Sequence, residues 1–195
     1  GVPLDLSCPL FAGQISIVDS KPFDRDDWVI ECVNANVWST MQGVLDRTTA
    51  HICLSVETKV PAGADLVAAE QAARNKKWNA SIYSCAVSDV GGLSGGVAVA
   101  TRRHVGLARS FTNDSLAENS FSHRFGMRHV GAICKGGLHF GCIYPTTAVE
   151  VTAKCNLDLL DSVADVLLLV PGAWVIGGDW NFTPAELTAI GWLRK

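Results

Sequence analysis

The sequence predicts an α/β sandwich of mixed strands with helices on the outside. Three observations carry that expectation. Short apolar runs of strand length alternate with stretches of helical period, two late runs are joined by a tight glycine turn, and the last run closes on glycine just before a helix start. A hairpin needs antiparallel neighbours, which excludes a purely parallel doubly wound sheet. With 195 residues and 48% hydrophobic content, the chain can bury a sizeable core and is most simply one domain.

Residues 1–28 have mixed character, with Pro3, Pro22 and a cluster of acids, and read as a leader or edge segment; residues 29–195 are the folded domain. Residues 28–37 form a strand-like run that puts Asn34 and Asn36 at its carboxyl end. Ser39 or Thr40 would cap a short helix over 41–47, with Leu45 facing inward. Residues 51–56 are a second apolar strand ending directly at Glu57. Over 62–77, Leu66, Val67, Ala69, Ala72 and Ala73 recur at helical spacing with charges opposite, as on an outer helix.

Residues 80–87 and 96–101 read as strands on either side of a glycine-rich stretch, with 105–110 continuing the pairing and polar 113–119 a loop. Residues 127–134 and 138–144 are two strands joined at Lys135-Gly136-Gly137. The next helix spans 153–170, with Leu157, Leu160, Val163, Ala164, Leu167 and Leu168 on one face. It leads into Trp174, Val175 and Ile176, a short buried strand closed by Gly177 and Gly178. Asp179 and Asn181 would then project from the strand end on one side. Thr183 as N-cap and Pro184 at the first helical position start the last helix. A carboxylate and an amide at a strand's carboxyl end, facing a helix N-terminus, suit phosphate chemistry.

Composition narrows the function. A net charge of -3 argues against a protein that coats nucleic acid non-specifically. A local basic patch remains, because Arg102, Arg103, Arg109, Arg124, Arg128 and Lys135 fall in a stretch whose acids are Asp114 and Glu118. The longest apolar run, 166–171, is far too short to cross a bilayer, so no membrane partner is expected. No secretory signal is visible, and a start at Gly1 suggests a fragment or processed product. Seven cysteines, never spaced C-x-x-C and several inside apolar runs, read as free thiols in a reducing, intracellular protein. Cys53, Cys134 and Cys142 are expected to be buried without disulfide partners.

The polar residues that close apolar strands, Asn36, Glu57, Tyr144, Asp179 and Asn181, are the candidate site. Carboxylates are hard oxygen ligands suited to Mg²⁺, which takes one or two of them and completes its shell with water and phosphate. Asn and Tyr side chains then serve as donors to phosphate oxygens. Glu57, Asp179, Asn181 and Asn36 are expected to converge at one end of the sheets, within reach of a common metal or water.

Asn36-Val, Leu54-Ser-Val-Glu57-Thr-Lys59, Ser94-Gly-Gly-Val97, Tyr144-Pro145 and Gly177-Gly-Asp-Trp-Asn181 stand in an order that resembles the endonuclease/exonuclease/phosphatase superfamily, in particular abasic-site endonucleases and non-LTR retrotransposon endonucleases. The resemblance implies a four-layer, two-sheet α/β sandwich lacking its last strands, with 29–195 an incomplete domain of this kind. By the same resemblance Glu57 binds the divalent metal, Mg²⁺ or alternatively Mn²⁺, and Asn36 supports the metal and the neighbouring carboxylates. Tyr144 touches the phosphate, Asp179 orients or activates water, and Asn181 holds a phosphate oxygen. DNA is the implied partner, and a retroelement endonuclease would be nuclear.

The sequence also departs from that pattern. Val56 stands where the family usually has Gln, and Pro145 follows Tyr144 directly, one residue short of the abasic-site spacing. The family's closing S-D-H, its general base pair, is not among these 195 residues. A positioned base is typically worth about 10²- to 10⁴-fold. Two functions follow: a Mg²⁺-dependent phosphodiester hydrolase acting on DNA, weak or inactive in this form, or a non-catalytic binding module of the same fold. A phosphatase of the same superfamily is the alternative within the enzyme class.

Overall fold

The computed structural model describes residues 27–87, 90–111 and 121–193. Ten strands and four helices are defined among them. In chain order these are β1 (Ile30–Asn34), α1 (Trp38–Arg47), β2 (Ile52–Val56), α2 (Ala64–Asn75), β3 (Trp78–Tyr83), β4 (Ala86–Val87), β5 (Leu93–Ser94) and β6 (Val97–Arg102). β7 (Ala108–Arg109), β8 (Phe125–Val130), β9 (Leu138–Ile143), α3 (Lys154–Leu169), β10 (Trp174–Gly178) and α4 (Pro184–Ala189) follow.

Two four-stranded mixed sheets result, ordered β1-β2-β6-β3 and β10-β9-β8-β7, while β4 and β5 form a small separate hairpin. The first sheet has one parallel pair, β1 with β2, and the second has one, β10 with β9; all other pairings are antiparallel. Asn34 pairs with Val56 and Gly178 with Ile143, so β1, β2, β9 and β10 all run to the same end of the sandwich.

Alternation along the strands builds four layers. Leu54, Val56, Val97 and Val99 of one sheet meet Val130, Phe140 and Cys142 of the other in a dry central core. The opposite face of the first sheet, with Cys53 and Ala100, is covered by Met41, Leu45 and Ala73 of α1 and α2. Phe125, Met127 and Ile143 on the far face of the second sheet pack under Leu160, Val163 and Leu167 of α3. Both faces of β2 are covered, which is why all five of its residues are buried. Gly126 makes room for Tyr83, whose ring a Cβ there would overlap and whose hydroxyl donates to the Met127 carbonyl at 2.9 Å.

Several boundaries differ from the sequence expectation. Residues 80–87 are not one strand: β3 ends at Tyr83 and β4 folds into the hairpin with β5. β7 pairs with β8 in the second sheet and does not continue the pairing of β6. β8 starts at Phe125 and stops at Val130, so Cys134 lies on the exposed connection to β9 and is not buried. Cys53 and Cys142 are buried, and all six described cysteines are free. Burial pushes the Cys53 thiol up to about 12. The helix expected over 41–47 begins earlier, at Trp38, with Val37 as N-cap and no side-chain cap. The 1–28 leader lies outside the described residues except for its last two, and so does the 113–119 loop.

α3 is rotated relative to the expected face. Asn156, Leu159, Leu160, Val163, Val166 and Leu167 are buried, while Leu157 and Leu168 face outward. Asn156 explains the rotation. Fully buried, it accepts from the Thr146 amide at 2.8 Å and donates to the carbonyls of Thr146 and Glu150 at 3.3 and 3.1 Å. These bonds tie the start of α3 to the chain just past Tyr144. Asn156→Ala is therefore expected to lower unfolding stability by about 1–3 kcal/mol, the cost of stranding buried donors and acceptors. Urea denaturation measures this; an unchanged midpoint would show that these groups find other partners.

Candidate functional site

The carboxyl ends of β1, β2, β9 and β10 deliver a cluster of polar side chains. Glu57 follows β2, and its Oε1 accepts a 2.5 Å hydrogen bond from the hydroxyl of Tyr144, which follows β9. Asp179 follows β10, and its Oδ2 accepts from the Asn34 side chain at the end of β1 at 3.4 Å. These two contacts bridge the sheets at their shared end. Lys59 donates to Asn36 Oδ1 at 3.0 Å, and Asn181 turns its amide back to the Asp179 carbonyl at 3.2 Å. All five candidate residues thus lie at this end, with Asn36 attached through Lys59.

Local backbone geometry marks the same place. Among the described residues six non-glycine residues have positive φ, and four of them are here: Asn36 (63°), Glu57 (55°), Lys59 (50°) and Asn181 (53°). For Glu and Lys such a conformation costs of order 1–3 kcal/mol and persists where the surroundings over-determine it. Gly95 and Gly96 provide that support. Their carbonyls accept from the amides of Lys59 and Thr58, each at 3.1 Å, while the Gly96 amide donates to the His123 carbonyl at 2.8 Å. Side chains would not fit there: a Cβ at Gly96 would stand 2.5 Å from Thr58 Oγ1 and one at Gly95 2.8 Å from the His123 carbonyl.

Arg124 extends the cluster. Its guanidinium lies 4.9 Å from the Tyr144 ring centroid, donates to the Pro145 carbonyl at 3.3 Å and reaches Ser94 Oγ at 3.0 Å. Tyr144 is buried, and burial followed by the hydrogen bond and charge of Glu57 push its phenol up to about 12. It therefore remains a hydrogen-bond donor at neutral pH. The helix start at Thr183-Pro184 carries a capping box, with Thr183 and Glu186 bonding each other's backbone, so the Glu186 amide in the first turn of α4 is already taken.

Among the five histidines, His123 alone stands near this end, beside Gly95, and burial and Arg124 push its pKa down. His51 precedes β2 and His104 follows β6, at the opposite end. His129 and His139, paired across β8 and β9, are also there, and burial followed by the charge of His129 pushes His139 down to about 4. Asn34, Lys59 and Arg124 were not among the sequence candidates. Asn34 sits two residues before Asn36 on the same strand end, and Lys59 two residues after Glu57, so alternate positions carried the signal; Arg124 was visible only as part of a basic stretch.

No group of three or more His, Cys, Asp or Glu able to hold a metal occurs among the described residues. The donor set is nonetheless oxygen only. The Glu57 carboxylate at the end of β2 and the Asn36 amide oxygen after β1, which accepts from Lys59, suit a largely hydrated hard cation and not a soft metal held in a protein cage.

No family model and no curated protein matches the sequence. Among solved structures, the chain is similar to an AP endonuclease from Archaeoglobus fulgidus, with a TM-score of 0.55 and 16% identity over 83% of this chain. The match spans 63% of the Archaeoglobus chain. The two chains share an α/β fold.

The Tyr144–Glu57 contact is open to direct test, because the chain has two tyrosines, Tyr83 and Tyr144. In a Tyr83→Phe background, phenolate absorbance should rise with a midpoint near 12, and Glu57→Gln should lower that midpoint without returning it to 10, since burial is the largest cause. Because the folded state holds this proton more tightly than the unfolded one, stability should also fall as pH rises from 10 to 12. Titration of Tyr144 near 10 would mean that the contact is not made.

Proposed function

We propose that the strand-end cluster is the phosphate site of a Mg²⁺-dependent phosphodiester hydrolase of endonuclease type acting on DNA. The observation that carries this reading is the pair of inter-sheet contacts, Tyr144 to Glu57 and Asn34 to Asp179, which holds two carboxylates at one end of the sandwich. Glu57, with Asn36, would hold Mg²⁺; when bound, the ion supplies Lewis-acid stabilisation of charge on the scissile phosphate and leaving oxygen. Tyr144, protonated and buried, is placed to donate to a phosphate oxygen when it leaves Glu57. Asp179, oriented by Asn34, accepts from and positions the attacking water. Asn181 offers an amide to a non-bridging oxygen, and Lys59 and Arg124 bring positive charge to a site that would otherwise repel phosphate. On this reading a retroelement-type endonuclease is the finer assignment.

The distribution of histidines favours a second reading, of a module that binds phosphate without efficient cleavage. No imidazole contacts Asp179 or Glu57 among the described residues, and without such a base turnover by this chain should be slow. Cleavage of plasmid and of abasic-site DNA by the purified chain, with Mg²⁺ and with EDTA, separates the two. We expect Mg²⁺ to bind weakly and cleavage to stay close to background, with any Mg²⁺-dependent residue of activity abolished by Glu57→Gln and by Asp179→Ala. Robust cleavage in EDTA, or Mg²⁺-dependent cleavage that survives both substitutions, would sink the assignment of this cluster as the site. Vigorous cleavage lost in both variants would instead overturn the binding-only alternative.

A further inference from the structure

Two of the strained residues at the strand ends touch each other. Lys59 donates to Asn36 Oδ1 at 3.0 Å, and both hold a positive φ, 50° and 63° respectively. The backbone around each is fixed. Thr58 and Val60, which flank Lys59, are buried; the Lys59 amide donates to the Gly95 carbonyl at 3.1 Å, and the Val60 carbonyl accepts from the Cys85 amide at 2.8 Å. Asn36 follows Ala35, which is fully buried and whose amide donates to the Val56 carbonyl at 3.0 Å. The fold therefore aims the stems of both side chains, and a left-handed lysine persists only where such surroundings impose it.

Charge alone would send this ammonium elsewhere. Glu57 stands two residues before Lys59, and Asp179 lies at the same end of the sandwich. Yet among the described residues Lys59 makes no ion pair, and its ammonium is committed to a neutral amide oxygen. Lysine is a compact point charge with three donors and no acceptor, so beside an oxygen ligand it stands much as a monovalent cation would. The oxygen it takes is the one assigned above, with Glu57, to a divalent ion.

We propose that Lys59 is the resident cation of this site and sets its affinity for divalent ions. An ion that takes Asn36 Oδ1 competes with the lysine hydrogen bond and meets its positive charge close by. Lys59 thereby keeps the affinity of the free chain for divalent ions low. The same ammonium attracts a phosphate, so the residue ranks the two ligands, opposing the cation and favouring the anion. The inference rests on the reading of Glu57 and Asn36 as the metal-holding pair.

Electron paramagnetic resonance of Mn²⁺, a stand-in for Mg²⁺ at oxygen ligands, tests it by the loss of free-ion signal on binding. Lys59→Met removes the charge and keeps an unbranched side chain. It should bind Mn²⁺ tighter than the parent chain by on the order of tenfold, the effect of a unit positive charge a few ångströms from a divalent ion at near-aqueous dielectric. Lys59→Arg should stay close to the parent. Adding Asn36→Ala to Lys59→Met should remove the gain, because the contested oxygen is then gone. A damaged fold would lose affinity, so the gain separates competition from misfolding. Glu57→Gln tests the metal-holding reading by itself. If it weakens Mn²⁺ binding while Lys59→Met does not strengthen it, the metal assignment stands and the role of Lys59 falls. If it has no effect while Lys59→Met strengthens binding through Asn36, the reverse holds. A gain that survives Asn36→Ala, or no Mn²⁺ binding by any of these chains, also overturns the role of Lys59.

Discussion

The close approach of β10 to the other sheet is the constraint on which the site depends. Gly177 faces inward, where a Cβ would stand 2.6 Å from Cys32 Sγ and 2.7 Å from Leu54 Cδ1. Any side chain there would lever β10 away from β1 and β2. Asp179 lies two residues further on, and its contact with Asn34 crosses the same gap at 3.4 Å. Gly178 is constrained from the other direction: its φ of 140° and its tight fit against the Ile143 carbonyl admit no side chain. The two glycines thus place a carboxylate between the sheets for a packing reason before any chemistry is considered.

A comparable economy holds around Glu57. Strain at Glu57 and Lys59 is offset by backbone hydrogen bonds to Gly95 and Gly96, which themselves fit only because they lack side chains. Arg124 links that glycine turn to Tyr144 and Pro145, and Asn156 fixes the chain immediately beyond them. The carboxylates therefore rest on a scaffold whose parts are far apart in sequence and joined mainly by polar contacts to the backbone. Such a scaffold holds geometry more firmly than loop packing alone would.

Much of this was legible in the sequence, and what was missed has a common cause. Apolar runs located the central strands, and the glycine pair, the capping Thr183 and the polar strand ends all pointed to one end of the sandwich, because strand period and turn chemistry are local properties. The short elements were misread where partners decide. Ala86–Val87 looks like a continuation of β3 until its pairing with Leu93–Ser94 is seen, and Ala108–Arg109 belongs to the sheet opposite the one its neighbours in sequence suggest. The rotation of α3 was hidden because Asn156 reads as a solvent-facing residue, whereas its burial is set by three backbone groups that the helix meets only in the fold. Asn34 and Arg124 escaped for the same reason: their roles lie in contacts across 145 and about 20 positions.

Charge explains why the proposed chemistry would need a cation. Glu57 and Asp179 contribute two negative charges at the strand ends, and Lys59 and Arg124 contribute two positive ones beside them, so the cluster is close to neutral by itself. A phosphodiester entering there would gain little net Coulomb attraction while losing water from its oxygens. Adding a divalent ion at Glu57 would leave the site net positive and shift the balance toward binding the anion. The Tyr144 proton bears on the same balance, because the phenol hydrogen bond to Glu57 competes with an ion for the carboxylate oxygen. The phenol of Tyr144 and a cation would thus be alternative partners for the same Glu57 carboxylate.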